Sequence, residues 1–346
     1  MIITDKQKPV LVTGATGYVA GRVVEKLLHE GFTVHATVRK LTDTQKLEPL
    51  NKVAANAPGK LVFFEADLLK PDSFTAAMQD CQVVFHTASP FTLSVKNAQS
   101  DLVDPAVNGT RNVLNSVNQT NTVKRVVLTS SCAAIYGDNI DLQNTPGKVF
   151  TEDIWNTSSS LTHQPYSYSK VLAEKEAWKI DNAQSRWDLV VVNPSLVIGP
   201  GISATGTSES YNLVKQLTDG TMKSGVPDLS IGVVDVRDLA IAHYNAAFTP
   251  EAKGRYIVSA ANSSLLELAL MLREKYGNTF PIPKKKLPKF LLILIGPLFG
   301  FKRKMLKQNL GFPFIADNSK GIKELGISYR PVKDSIIEFV EQLKKG

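Results

Sequence analysis

The 346-residue chain is expected to be an α/β protein, a Rossmann-type doubly wound parallel sheet with a smaller C-terminal domain. Three observations lead there. Short β-branched, apolar runs alternate with helical patterns from Val10 to Asn193, the rhythm of a parallel sheet covered on both faces. A glycine-rich turn, Gly14-Ala-Thr-Gly17, stands between the first strand and the first helix. Polar and reactive residues gather at the C-terminal strand ends, where such sheets hold their ligands.

Val10-Leu-Val-Thr13 is suited to a strand buried on both faces. Gly14, Thr16, Gly17, Tyr18 and Val19 make the turn and open a helix that runs through Val23, Val24, Leu27 and Leu28 to Gly31. Gly14 permits the sharp turn, Gly17 lets backbone N–H groups approach a pyrophosphate, and Ala20 keeps the helix close to the strand. Thr33 to Arg39 is the second strand, and its tip carries Arg39 and Lys40, with Lys46 further on and no carboxylate before Asp43. An acidic tip would bind the ribose 2′-hydroxyl of NAD, whereas Arg suits the 2′-phosphate of NADP, so NADP(H) is the expected cofactor.

Leu61 to Glu65 is the third strand, with Asp67 and Leu68 beyond it in position to meet the adenine. Asp72 to Met78 reads as a short helix, and the strand Val83 to Thr87 ends in Ala88-Ser89-Pro90, residues small enough to let a cofactor pass. A helix through Val107, Val113, Leu114 and Val117 leads to the strand Arg125 to Ser130, then Ser131. After a further helix, the strand Asp188 to Asn193 leaves the sheet through Pro194 and Ser195 towards Gly201. Gly, Ser and Thr then become frequent through Thr207 and Ser208, where a substrate-covering domain would begin. Residues 1–193 are thus the expected NADP-binding domain and 194–346 mainly the substrate domain. Strand Gly232 to Val236 and helix Arg237 to Phe248 are expected to return to the large sheet. Gly254 to Val258, Leu265 to Tyr276 and Ser335 to Leu343 are a further strand and two further helices.

The reactive pair is Tyr166-Ser-Tyr-Ser-Lys170, a tyrosine and a lysine on one face of a helix that Pro165 can start. An ammonium beside a phenol favours the phenolate, which suits the tyrosine to proton exchange with a substrate oxygen. Spacing alone does not select it, because Tyr211 and Lys215, and Tyr329 and Lys333, are spaced identically. Its place between a nucleotide-binding start and the Thr129-Ser-Ser131 strand end does. His163, in the loop before this helix, is assigned no role.

Composition excludes several classes. Two cysteines, Cys81 and Cys132, make no disulfide framework, and no zinc spacing is present. A net charge of +8 comes without a nucleic-acid-binding signature, so nucleic acid is not an expected partner. The most apolar run, Phe290 to Phe299, is too short to span a bilayer and is broken by Gly296 and Pro297. A cytoplasmic protein, monomer or homodimer, is expected; the basic–apolar stretch Lys284 to Lys307 reads either as a membrane-surface segment or, preferred because proline and glycine interrupt it, as a helix that caps the substrate pocket.

Gly14-x-x-Gly17-Tyr-x-Ala, Asp67-Leu68, His86-Thr-Ala-Ser-Pro90, Thr129-Ser-Ser131, Tyr166-x-x-x-Lys170 and Asn193-Pro-Ser-x-Val-x-Gly-Pro200 follow one another as in the extended short-chain dehydrogenases/reductases. The chain most resembles the dihydroflavonol-4-reductase-like group, over essentially its whole length. The resemblance implies an NADPH-dependent reduction of a small-molecule ketone or aldehyde, with Ser131 holding the carbonyl, Tyr166 protonating it and Lys170 supporting the tyrosine and the nicotinamide ribose. It further implies that Arg39 and Lys46 bind the 2′-phosphate, that Thr87, Ala88 and Ser89 lie along the cofactor, and that Pro194, Ser195, Val197 and Ser208 lie near the nicotinamide and phosphates. Aligning on Tyr136-Gly137 with the sugar-epimerase pattern would instead put Cys132 at the serine position. Tyr136 stands where plant dihydroflavonol reductases have a flavonoid-contacting Asn, a departure that argues against a flavonoid. The alternatives are a nucleotide-sugar epimerase or dehydratase, in which an acidic residue usually replaces Arg39, and a hydroxysteroid-type dehydrogenase. A non-catalytic NADP sensor commonly lacks the Tyr or the Lys, and both are here.

Overall fold

The computed structural model describes residues 5–89, 95–206 and 208–345; Pro90 and Thr207 of the motifs above lie outside them. Seven parallel strands form the large sheet in the order β3-β2-β1-β4-β5-β6-β9. They are β1 (Val10–Val12), β2 (Thr33–Val38), β3 (Lys60–Glu65), β4 (Val83–His86), β5 (Arg125–Thr129), β6 (Asp188–Pro194) and β9 (Gly254–Val258). The order reverses between β1 and β4, and their diverging connections leave the crevice in which such sheets bind ligands.

Helices cover both faces. α1 (Tyr18–His29), α2 (Thr44–Ala55) and α7 (Val236–Phe248) lie on one face, where Val23, Val24, Leu27 and Leu28 pack into a core with Val10, Val12, Val34 and Ala246. α3 (Thr75–Met78), α4 (Asp104–Gln119) and α5 (Pro165–Asp181) cover the other, burying Val113, Leu114, Val117 and Ala177 against Leu11, Val84, Val126 and Val191. The alternation along β1 explains the split: Val10 and Val12 point one way and Leu11 the other.

A second sheet of three strands, β10-β8-β7, is made by β7 (Leu196–Ile198), β8 (Ser230–Asp235) and β10 (Ala261–Ser264). β8 runs parallel to β7 and antiparallel to β10. Around it are α6 (Glu209–Thr218), α8 (Leu265–Tyr276) and α12 (Val332–Leu343), with a core that includes Tyr211, Leu217, Leu268 and Phe339. The remaining helices are α9 (Lys289–Ile295), α10 (Arg303–Asn309) and α11 (Ser319–Leu325).

Two local expectations differ from the structure, and one element is not foreseen. The strand over 232–236 belongs to the small sheet; α7 and β9 make the return to the large one. The physical reason is β7, which leaves β6 at Ser195 and offers its edge to β8 before the chain turns back. The helix expected from Asp72 starts only at Thr75, because Asp72 sits at φ +60, in the left-handed region that no helix contains. α2 is not among the expected elements: its polar composition and internal Pro49 hide a narrow apolar face, Leu47 and Leu50.

Candidate active site

The first turn of α1 is built to receive an anion. Gly14 adopts φ +65, and a Cβ there would come 3.0 Å from the Cβ of Ala88, so the tips of β1 and β4 close on each other only without a side chain. Gly17 is the N-cap of α1, no side chain caps the helix, and no acidic residue lies in its first turn. The opening N–H groups, those of Tyr18 and Val19 included, therefore have no intrahelical acceptor and face outward beside the exposed Thr16. The Tyr18 side chain is used elsewhere: its hydroxyl donates to Gly199 O, and its ring stacks on Phe339 at 5.7 Å.

Thr13 staples the two strand tips. Its buried Oγ1 accepts the N–H groups of Thr87 (3.1 Å) and Ala88 (3.0 Å), and the Thr87 hydroxyl donates to Thr13 O. With both lone pairs occupied, the Thr13 hydroxyl donates its own proton to His86 Nδ1 at 3.1 Å. The His86 ring is thus held as a neutral acceptor, and burial, then the positive charge of Lys170, pushes its pKa down to about 3.

The second layer comes from β5 and α5. Ser131 caps a single 3₁₀ turn, Cys132–Ala134, and its Oγ accepts the Ala133 N–H at 3.1 Å. Its own proton has no acceptor among the described residues and the side chain is only partly buried, so it can donate to a ligand. Cys132 points the other way, its thiol donating to Asn193 O in the core and pushed up to about 12 by burial. This geometry speaks against the epimerase-type alignment that would make Cys132 the reactive position.

Tyr166 and Lys170 lie one turn apart on α5. The Tyr166 side chain is 51% exposed, and Lys170 Nζ lies 5.8 Å from the centre of its ring. Lys170 Nζ also donates to Ser89 Oγ at 3.1 Å, across to the tip of β4. Leu68, His86, Ala88, Ser89, Thr129 and Lys170 line one pocket, so residues from three strand ends and α5 meet there. The helix is aimed from both ends. At its entry Gln164 takes a left-handed conformation, φ 53, and donates to Asp138 Oδ1, while His163 Nε2 donates to Asp138 Oδ2 at 2.5 Å. His163 and Asp138 are buried, so His163 belongs to the clamp on α5 and not to a free loop.

One turn beyond Lys170, Glu174 is 1% exposed and accepts from Ser130 Oγ (2.5 Å), Arg255 Nε (2.6 Å) and Asn193 Nδ2 (2.9 Å). Asn193 Nδ2 also donates to Ser131 O. One carboxylate therefore ties α5 to β5, β6 and β9, and fixes Tyr166 and Lys170 relative to Ser131. Sequence reasoning passes over Glu174; its spacing of one turn from Lys170 is the sole signal, and many exposed helix residues share it.

The other candidate cofactor positions spread along the crevice. Arg39 is exposed at the tip of β2 and pairs with no carboxylate among the described residues. Lys46 is turned back onto Asp43, Nζ to Oδ2 2.7 Å, and it holds the Asp43 carboxyl below the usual carboxylate range. Asp67 Oδ1 accepts the Leu69 N–H, and Leu68 packs against Gly109. Pro194 ends β6, Val197 is partly buried on β7, and the hydroxyls of Ser195 and Ser208 are buried without a partner among the described residues. Two orphaned hydroxyls, an uncapped helix start, a glycine that a Cβ would jam and a free arginine together fit a phosphorylated dinucleotide.

The other two tyrosine–lysine pairs are not brought to this crevice. Tyr211 is buried in the small core, its hydroxyl donating to Ser203 O at 2.8 Å, and burial pushes it up to about 12. Tyr329 precedes α12, and Lys333 pairs with Glu274 at 2.5 Å. Tyr136 stacks on Phe150 (4.8 Å) and leans on Phe314 (5.1 Å) in an aromatic cluster, with burial pushing its phenol up.

A doubly wound parallel sheet with a phosphate-cradling turn and a Ser–Tyr–Lys set at its strand ends defines a nucleotide-dependent short-chain oxidoreductase class. The chain matches the model of the NAD dependent epimerase/dehydratase family over residues 10–258. It is 37% identical to a cinnamoyl-CoA reductase of Medicago truncatula over 97% of its own length and 95% of that protein. It is 33% identical to the NADPH-dependent methylglyoxal reductase GRE2 of Saccharomyces cerevisiae, over 97% and 98%. The crystal structure of yeast methylglyoxal/isovaleraldehyde reductase Gre2 with NADPH superposes with a TM-score of 0.80 at 30% identity, covering 97% of this chain and 98% of that one. The chain belongs to this family of extended short-chain dehydrogenases/reductases, in its dihydroflavonol-reductase-like group.

Proposed function

We propose that the protein is an NADPH-dependent carbonyl reductase that turns a small-molecule aldehyde or ketone into an alcohol, with Ser131, Tyr166 and Lys170 as its catalytic residues. The observation that carries this reading is the bridge from Lys170 Nζ to Ser89 Oγ, which sets the Tyr166–Lys170 face of α5 against the strand-end crevice. When bound, the nicotinamide cofactor supplies the hydride that adds to the carbonyl carbon. Tyr166 gives its hydroxyl proton to the carbonyl oxygen, and the Lys170 ammonium offsets the charge left on the tyrosine oxygen. Hydride and proton together convert C=O to CH–OH, and Tyr166 is exposed enough to regain its proton from water. Ser131 directs its unused proton at the same carbonyl oxygen and holds it in line.

The backbone of Gly14, Thr16, Gly17, Tyr18 and Val19 would hold the pyrophosphate, and Arg39 with Lys46 the 2′-phosphate. For Lys46 this requires release from Asp43, an exposed ion pair of low cost. Asp67 and Leu68 would border the adenine, Thr87, Ala88 and Ser89 the middle of the cofactor, and Pro194, Ser195, Val197 and Ser208 the nicotinamide end. Residues 1–193 then form the cofactor domain with the return of α7, and 194–346 mainly the substrate domain. Consumption of NADPH absorbance is the test, across α-ketoesters, diketones, aromatic aldehydes and dihydroflavonols, with NADH in parallel. Turnover of at least one aldehyde or ketone, faster with NADPH, is expected; no turnover across the panel overturns the reading.

A further inference from the structure

The net charge of the chain is +8, and residues 284–307 account for all of it: eight Lys and Arg with no Asp or Glu. The other 322 residues sum to zero. The same stretch holds the most exposed large apolar side chains in the molecule's described part, Leu298 at 84%, Phe290 at 74%, Phe299 at 71% and Leu294 at 66%, with Phe301 close behind at 51%. α9, a short 3₁₀ turn over 296–299 and α10 fold back on one another, with Leu306 buried beside Gly296. α9 itself buries no residue. The sequence leaves a pocket cap and a membrane-surface segment open here, and these apolar side chains face outward.

The basic residues are largely free. Lys286 pairs with Asp228 at 2.6 Å, and Lys289 turns inward onto Leu310 O. Lys284, Lys285, Lys302, Arg303, Lys304 and Lys307 meet no carboxylate among the described residues. Apolar side chains standing out of a one-signed basic surface are a combination that a globular protein does not need for its own stability. It matches a surface that is apolar beneath and negative on top. A second copy of the same patch would bring like charges face to face. No helix among the described residues is long and apolar enough to cross a membrane, so the contact would lie in the interface plane.

We infer that residues 284–307 form a docking surface for an anionic phospholipid bilayer, Phe290, Leu294, Leu298 and Phe299 entering the headgroup–acyl boundary while the lysines and Arg303 meet lipid phosphates and carboxylates. The inference is independent of the reductase reading. The hairpin touches the catalytic helix's approach, since Lys302 Nζ donates to Thr162 O four residues before Tyr166. Docking therefore sets the entrance to the crevice beside the membrane.

The experiment is co-sedimentation of the full chain with vesicles of phosphatidylcholine alone or of equal parts phosphatidylcholine and phosphatidylserine. Binding is expected only to the anionic vesicles, and it should fall steeply as salt is raised. Phe290→Ser with Leu298→Ser and Phe299→Ser should abolish it, and each of Arg303→Gln and Lys304→Gln should weaken it by roughly five-fold. These side chains are exposed, so reduction of a water-soluble aldehyde should persist in every variant. Failure to bind anionic vesicles, or equal binding by the variants, overturns the inference. So does loss of soluble-aldehyde turnover in the apolar variant, which would make the segment a substrate lid. A dimer that becomes a monomer in that variant, without vesicles, would assign the patch to a second copy.

Discussion

Helices α5 and α6 each carry a tyrosine and a lysine one turn apart, and they have opposite fates. On α5, Tyr166 is half open and Lys170 reaches across to Ser89 at a strand tip. On α6, Tyr211 is sunk in the small core against Phe339, 4.8 Å away, while Lys215 points into solvent. The difference lies in what each helix packs against. α5 is bolted through Glu174 to three strands of the large sheet, so its first turns overhang the crevice. α6 covers the small sheet, and its tyrosine serves as an apolar plug whose hydroxyl satisfies a loop carbonyl. The same chemical pair is left open or buried according to the register of its helix on the sheet.

The largest test of this contrast is Tyr166→Phe. Turnover with a carbonyl substrate should fall by about 10²–10⁴-fold, while NADPH binding, followed by cofactor fluorescence, stays near wild type. Retention of turnover would remove α5 from the chemistry. Next is Glu174→Ala, which leaves the Arg255 guanidinium buried without its carboxylate and should cost about 3–5 kcal/mol of unfolding free energy. Glu174→Gln keeps two acceptor sites and should recover part of kcat; a Gln variant no better than Ala would show that α5 is not aimed through this residue.

A pH scan of stability separates the two regions by their histidines. His243 is buried on α7, donates from Nδ1 to Leu239 O and accepts the Thr129 hydroxyl at Nε2, and burial pushes its pKa down to about 4. Because its folded pKa lies below the unfolded value of 6.5, the unfolded chain binds more protons between those values, so stability falls as pH drops from about 6.5 towards 4. The loss is on the order of 3 kcal/mol for this group, and His86 extends the window towards pH 3. Urea unfolding at several pH values should show that slope, and His243→Gln should flatten it. Both histidines lie in the large-sheet half, so a slope unchanged in the variant would place the acid sensitivity elsewhere.

Arg39→Ser should weaken NADPH by about 1.5–3 kcal/mol while leaving NADH nearly untouched, read from the ratio of kcat/KM values for the two cofactors. The smallest effect belongs to α6: Tyr211→Phe removes one hydrogen bond, should cost about 1 kcal/mol of stability, and should leave turnover unchanged.

Much of the sheet was legible because its strands are local, apolar and β-branched. Val10–Val12, Val83–His86 and Asp188–Pro194 announce themselves without any partner. The Gly14–Gly17 turn was legible for the same reason: its job is set by the missing Cβ. α2 was hidden, because a helix that buries only Leu47 and Leu50 has almost no periodic signal. The placing of β8 was hidden too, since which sheet a strand joins depends on the edge it meets, here β7, and not on its own residues.

The sequence by itself determined the family, the glycine turn into α1 and the basic tip of β2, because each depends on residue type at fixed local spacing. Tertiary structure decided which side chain stays partly open and which is buried, Ser131 or Cys132, since one residue of phase at a strand end swaps inside for outside. It also decided which of three equal tyrosine–lysine spacings overhangs the strand ends. Buried contacts decide this, and those of Glu174 reach residues 19, 44 and 81 positions away.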